Sequence, residues 1–163
     1  MKKIKIWNKG RVIGPKPPLT VEDINLIRGL LSQADEPRDL VLFCLAVDTS
    51  FRASDLVKLR VMDVMGDSQV FEVVRIVQSK TGKAMAGFVT ALTRKHILNY
   101  IALSGKCATD YLFTSKRAGN VGHITTQQYR KILKKWFGKA GMDAQLYSTH
   151  SLRRSKVSHI YKK

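Results

Sequence analysis

The chain has 163 residues, enough for one domain with a sizeable core. Its 29 Lys and Arg against 12 Asp and Glu leave a net charge of +17, which points to a polyanion, nucleic acid by default, with a solvated basic surface as the bland alternative. No apolar run reaches membrane-spanning length and the Met1–Trp7 start lacks a signal core, so a cytoplasmic protein with no membrane partner is expected.

Residues 1–18 hold six Lys or Arg and no acid, with the breakers Gly10, Gly14, Pro15, Pro17 and Pro18. They read as a basic N-terminal arm or linker, either following a DNA backbone, joining a further domain or ending loosely. The domain proper is expected over 19–163. Thr20 followed by Asp23 has the form of a capping box, and Ile24, Ile27, Leu30 and Leu31 repeat at helical spacing after it. Pro37 suits the first turn of a second helix that is apolar on most sides and so buried. A break at Asp48–Phe51 leads to a third helix carrying Leu56, Val57 and Leu59.

The β-branched run Val70–Val77 predicts a strand, Ser79–Lys83 a turn, and Met85–Thr90 the returning partner. Thr93–Ser104 is expected to be helical, Tyr111–Phe113 extended, and Lys116–Gly122 a polar loop. Thr125 and Gln128 predict the cap of a long helix to about Ala140, and a closing helix runs from about Thr149. The expected fold class is mainly α with a small antiparallel β-sheet. From Arg130 onward ten basic residues face a single acid, Asp143, so the last two helices present a basic surface. Cys44 and Cys107 stand far apart in apolar surroundings and read as reduced core thiols. The four histidines show no metal-ligand spacing, and neither a metal nor a cofactor is expected.

Three stretches bear chemistry. In Ser148-Thr149-His150-Ser151-Leu152-Arg153-Arg154-Ser155, His150 and Arg153 share one face near a helix N-terminus, where free N–H groups and the dipole attract a phosphate. Arg52 lies where a buried helix ends and another begins. Asp55, one turn on, can hold either that guanidinium or the helix itself. Lys80, within Gln78-Ser79-Lys80-Thr81-Gly82-Lys83, rides on a hairpin tip that can swing over a bound backbone.

In this order and rough spacing, Phe51-Arg52-Ala53-Ser54-Asp55-Leu56, Ser79-Lys80-Thr81-Gly82 and His150-Ser151-Leu152-Arg153 resemble the motifs of the tyrosine recombinases, or phage integrases, over residues 19–163. The Phe-Arg-Ala-Ser wording is most similar to the short recombinases that invert fimbrial promoters. The resemblance implies the fold of that family's catalytic domain, with Arg52 and Arg153 clamping a scissile phosphate and Lys80 protonating the departing 5′ oxygen. It also implies an acid/base role for His150 and a supporting one for Asp55. Lys83, Arg130, Lys134 and Arg154 are the expected DNA contacts. Implied partners are double-stranded DNA, other protomers in a tetramer on DNA, and DNA-bending accessory proteins.

The family pattern continues to a Leu-Gly-His-type motif and then a nucleophilic tyrosine, whereas this sequence ends ten residues past Arg153. Tyr161 follows Arg153 by about 12 Å of helix and reads as a packing residue. Tyr100, Tyr111, Tyr129 and Tyr147 precede the motif and read as core or rim. No nucleophile is therefore expected in these residues, and the catalytic domain is expected to be incomplete at its C-terminal end. The alternative is a non-catalytic DNA-binding regulator or a decayed recombinase.

Overall fold

The computed structural model describes residues 14–117 and 122–161, the last five by their backbone alone. Most of the expected arm, part of the expected polar loop and the final Lys-Lys lie outside them. Helix α1 (Val21–Gln33) starts at the predicted capping box, where Asp23 N–H donates to Thr20 Oγ1 and Thr20 N–H to Asp23 Oδ2, both at 3.1 Å. Helix α2 (Pro37–Thr49) is buried from Asp39 to its end. Its first turn carries a buried acid, and three donors stabilise that charge: Arg38 Nε and Nη2 at 2.9 and 2.7 Å on Asp39 Oδ1, and Trp136 Nε1 at 3.2 Å on Oδ2. Helices α1, α5 (Ala91–Ser104) and α7 (Thr149–Tyr161) pack around α2, while α6 (Thr126–Lys139) packs on α1.

Between α2 and α5 the chain makes two short helices, α3 (Ala53–Leu56) and α4 (Val61–Val64), and two hairpins. β1 (Met65–Gly66) pairs with β2 (Gln69–Val70), and β3 (Val73–Val77) pairs antiparallel with β4 (Ala84–Phe88) from Val73↔Phe88 to Val77↔Ala84. The mainly α fold with small antiparallel sheet is therefore present, with three local differences. The predicted strand 70–77 is broken at Phe71–Glu72. Asp67 and Ser68, at φ 50° and 63°, fold Val70 back onto Met65, and Phe71 N–H then bonds the Val64 carbonyl. The third helix stops at Leu56. Leu59 instead offers its carbonyl to Leu112 N–H at 2.8 Å, beside a bridge from Arg60 to Tyr111. Cys107 is exposed rather than in the core, since its segment is a surface turn closed by its N–H on Asp110 Oδ2.

The caps of α6 form as predicted, Thr125 and Gln128 each accepting the other's backbone N–H. α5 starts two residues earlier than predicted, because Thr90 is its cap and ends the β4 connection. Among the described residues no helix is long and apolar enough to cross a membrane.

The β3–β4 hairpin is seated on the end of α2 at Gly87. A Cβ built there would lie 2.5 Å from Thr49 Cβ and 2.9 Å from Thr49 Cα. Neither atom is the end of a flexible chain, so the strand must shift for any side chain. Gly87→Ala is expected to destabilise the protein by about 1–3 kcal/mol. The check is urea unfolding, in which the midpoint falls while the slope is kept; an unchanged midpoint contradicts the close seating.

Candidate active site

The site is built on the C-terminal end of α2. Ser50 caps that helix in the left-handed conformation, φ 58°, with its N–H on the Ala46 carbonyl. Carbonyls at a helix C-terminus lack intrahelical donors and form the negative pole of the dipole, so they attract cations. Two cations from α7 answer them. Arg153 Nε donates to the Ser50 carbonyl at 2.8 Å, and Lys156 Nζ to the Asp48 carbonyl. The Asp48 carboxylate faces the other way, accepting Thr90 N–H and Oγ1 at 2.9 Å each and lying 3.7 Å from Arg28. One helix end thus fixes α7, the start of α5 and the returning hairpin.

Arg52 stands two residues past Ser50, as the N-cap of α3. Its Nη1 donates to Gln78 Oε1 at 2.8 Å, at the root of the β3–β4 tip. The Arg153 guanidinium is held below the usual arginine range, first by its burial and then by the charge of Arg52, with Asp55 opposing. Two guanidinium charges therefore share one neighbourhood. Arg153 nonetheless keeps its proton at any ordinary pH. Arg28, Arg38 and Arg94 meet carboxylates (Asp48, Asp39 and Glu72). Among the described residues the side-chain hydrogen bonds of Arg52 and Arg153 go to neutral oxygens, so neither is locked in an ion pair, although the Asp55 carboxylate acts on Arg153 from nearby.

Asp55 is buried, but it grips neither guanidinium directly. Its Oδ1 accepts the N–H of Ser79 at 2.9 Å, pinning the hairpin tip to α3, and Oδ2 forms no hydrogen bond among the described residues. Of the two expected uses of Asp55, holding the guanidinium or holding the helix, the hydrogen bond present ties α3 to the hairpin tip, while Arg52 goes to Gln78. Lys80 is exposed in the middle of the tip that Asp55 and Gln78 anchor, and Lys83 is exposed where the tip ends. His150 is exposed in the first turn of α7, its N–H on Ser148 Oγ at 3.3 Å, one turn from Arg153 on the same helix. Ser148 is thus the cap and Thr149 the first helical residue. Arg130 and Lys134 lie on the exposed face of α6, and Arg154 is exposed beside Arg153. Among the described residues none of these three joins the arginine pair by a hydrogen bond.

Sequence reasoning assigned no role to Gln78. The signal was available in the strand period: Val74 is buried and Ile76 partly so, and the alternation carries position 78 to the same inward face, where an amide needs partners. The Ser50 carbonyl has no sequence signal.

Four tyrosines have described side chains, and the contacts each makes are with residues other than Arg52 and Arg153 or, for Tyr129, consist of burial in the core. Tyr129 is fully buried, which pushes its phenol far up. Tyr100 donates to the Leu112 carbonyl at 2.9 Å, and burial pushes its phenol up to about 12. Tyr111 lies 4.0 Å beneath the Arg60 guanidinium, and Tyr147 packs on Phe137 at 5.7 Å between ring centroids. The Tyr161 side chain lies outside the described residues.

Residues 18–163 match the Phage integrase family. Tyrosine recombinase XerD of Bradyrhizobium diazoefficiens is 29% identical over 135 residues, which cover 76% of this chain and 41% of that protein. The crystal structure of XerA recombinase superimposes with a TM-score of 0.74 at 18% identity, over 90% of this chain and 50% of its own. XerH recombinase bound to its difH substrate in a pre-cleavage complex gives 0.70 at 16% identity, over 94% and 46%. At these identities the solved structures show a common fold. The chain spans half or less of the length of these three proteins.

The raised phenols carry a pH signature. A folded-state value above the unfolded one adds stability that is complete below about pH 10, the unperturbed phenol value, and is lost as pH rises from there through the folded value. In a spectrophotometric titration Tyr100 is expected to ionise near pH 12, with Tyr129 later still and only on unfolding. All five tyrosines ionising together near pH 10, about the free value, contradicts the burial of both.

Proposed function

This chain belongs to the phage integrase family, and from that premise we propose that it is the phosphate-activating part of a site-specific recombinase that cuts and rejoins DNA strands. The observation that carries this reading is the Arg52–Arg153 pair, two guanidiniums converging on one helix end and held there by neutral acceptors. A phosphodiester entering that field gains two fork-shaped donors aimed at its non-bridging oxygens. In the pentacoordinate transition state charge accumulates on those same oxygens, so the pair stabilises the transition state more than the ground state.

The remaining roles follow from position. Lys80, exposed on a tip rooted beside Arg52, donates a proton to the departing 5′ oxygen in this reading. His150, one turn from Arg153, donates a hydrogen bond to the phosphate or exchanges a proton with the attacking group. Asp55 supports Lys80 by fixing the tip to α3. Lys83, Arg130, Lys134 and Arg154, exposed on the tip and the last two helices, contact DNA phosphates and make binding salt-sensitive. The attacking group is a tyrosine other than the four engaged ones, and it forms a 3′-phosphotyrosyl link that a second 5′ hydroxyl resolves. The phosphoester energy is conserved, so no cofactor is needed.

Double-stranded DNA is the substrate, a reading supported by XerH in complex with its difH site. Other protomers in a tetramer and DNA-bending proteins complete the assembly, which acts in the cytoplasm. Residues 19–163 form the catalytic domain and 1–18 a basic arm. The Phe51-Arg52-Ala53-Ser54 wording supports the narrower likeness to inversion-type recombinases.

The test separates phosphate activation from the nucleophile. Duplexes that the chain selects from a random pool are incubated with it and hydrogen peroxide under chelation, so that the hydroperoxide anion takes the part of the tyrosine. It forms a bond to phosphorus as the 5′ oxygen leaves with a proton. Wild-type protein is expected to cut at one phosphate, and Arg52→Ala and Arg153→Ala each to lose about a hundred-fold or more in rate while losing far less affinity. Binding without cutting by the wild type would instead mark a non-catalytic DNA-binding regulator.

A further inference from the structure

Gln78 uses every hydrogen-bonding group it has. Its backbone N–H donates to the Lys83 carbonyl at 2.9 Å and its carbonyl accepts Gly82 N–H at 2.8 Å, which closes the tip into a tight loop. The side-chain Oε1 accepts from Arg52 Nη1 at 2.8 Å and from Thr81 Oγ1 at 2.7 Å, and Nε2 donates to Met85 Sδ at 2.9 Å. Both donors fall on the oxygen and the soft acceptor on the nitrogen, so the amide orientation is set by its surroundings. One oxygen atom therefore links the arginine of α3 to the loop that carries Lys80.

The identity of the residue matters as much as its place. An acceptor at this point fixes the rotation of the Arg52 guanidinium through one Nη1 proton. The opposite edge, Nε and Nη2, is left as a two-pronged donor. A carboxylate would accept the same bonds, but as an ion pair it would neutralise the charge on which phosphate binding depends. An amide oxygen orients the cation and leaves its charge intact. The Ser50 carbonyl serves Arg153 in the same way.

We propose that Gln78 is a positioning residue that aims Arg52 at the phosphate without discharging it and ties the Lys80 loop to the same guanidinium. This rests on the reading of the arginine pair as the phosphate-activating site. Gln78 itself touches no reacting atom.

The experiment uses the hydroperoxide assay on two duplexes, one natural and one with sulfur replacing the 5′ bridging oxygen at the phosphate where the wild type cuts. A thiolate departs without a proton, so the sulfur substrate bypasses a general acid while still needing the arginines. Lys80→Ala is expected to lose about ten-fold or more on oxygen and little on sulfur. Gln78→Glu is expected to lose about ten-fold or more on both substrates, with duplex affinity and melting temperature close to wild type. Gln78→Ala, which also frees the tip, is expected to lose on both and more on oxygen. Gln78→Glu cutting both substrates like the wild type would overturn the proposal, because a residue that only braces the hairpin tolerates a carboxylate. If the wild type cuts and Arg153→Ala does not, that failure belongs to Gln78 alone. If the wild type fails to cut either duplex, the reading of the arginine pair fails and takes the proposal with it.

Discussion

Everything in this molecule refers to the last turn of α2. That helix is buried along most of its length, so its C-terminal carbonyls are cut off from bulk water and need donors from the protein. Arg153 and Lys156 supply them from α7, across more than one hundred residues of sequence. Asp48, in the same turn, holds Thr90 and with it the start of α5, while Thr49 receives the backbone of β4 at Gly87. A helix end left unsatisfied is unfavourable, and one of the two groups that satisfy it, Arg153, is also a member of the proposed phosphate site. Fold and site are one arrangement.

The electrostatic consequence separates two kinds of arginine. Arg38 is locked at 2.7 Å to the buried carboxylate of Asp39 at the start of α2. Arg60 is engaged by the Thr109 carbonyl and the Tyr111 ring. Arg52 and Arg153 are oriented by neutral oxygens and repel each other, so the pair is less favourable without an anion than with one. A surface ion pair contributes about 0–1 kcal/mol, whereas two partly desolvated guanidiniums facing one phosphate act at lower effective dielectric and are worth more. On the proposed reading, this particular part of the +17 charge serves phosphate electrostatics rather than general attraction to a polyanion.

How much of this was legible in the sequence depends on the range of the forces involved. The capping boxes at Thr20–Asp23 and Thr125–Gln128 were readable because each is made by residues three apart. The helices followed from apolar period and the hairpin from its β-branched run. The break at Phe71–Glu72 was hidden because Asp67 and Ser68 reach positive φ without a glycine between them. The motifs around Arg52, Lys80 and His150–Arg153 were visible as words, and their order carried the family resemblance. What joins them was not. Asp55 turning to Ser79, Gln78 taking Arg52, and the Ser50 carbonyl taking Arg153 are contacts across 24, 26 and 103 positions. Tertiary packing decides them, and local pattern cannot.

In the proposed reading Arg52 and Arg153 act on one phosphate. A crystal structure of the chain with a selected duplex carrying a vanadate at the cut position tests it most directly, because five-coordinate vanadate has the shape of the transition state. The expected result is a single vanadium centre whose equatorial oxygens take hydrogen bonds from both guanidiniums, with Gln78 still on Arg52 Nη1. Vanadate bound by one arginine alone, or the two guanidiniums on different phosphates, would contradict it.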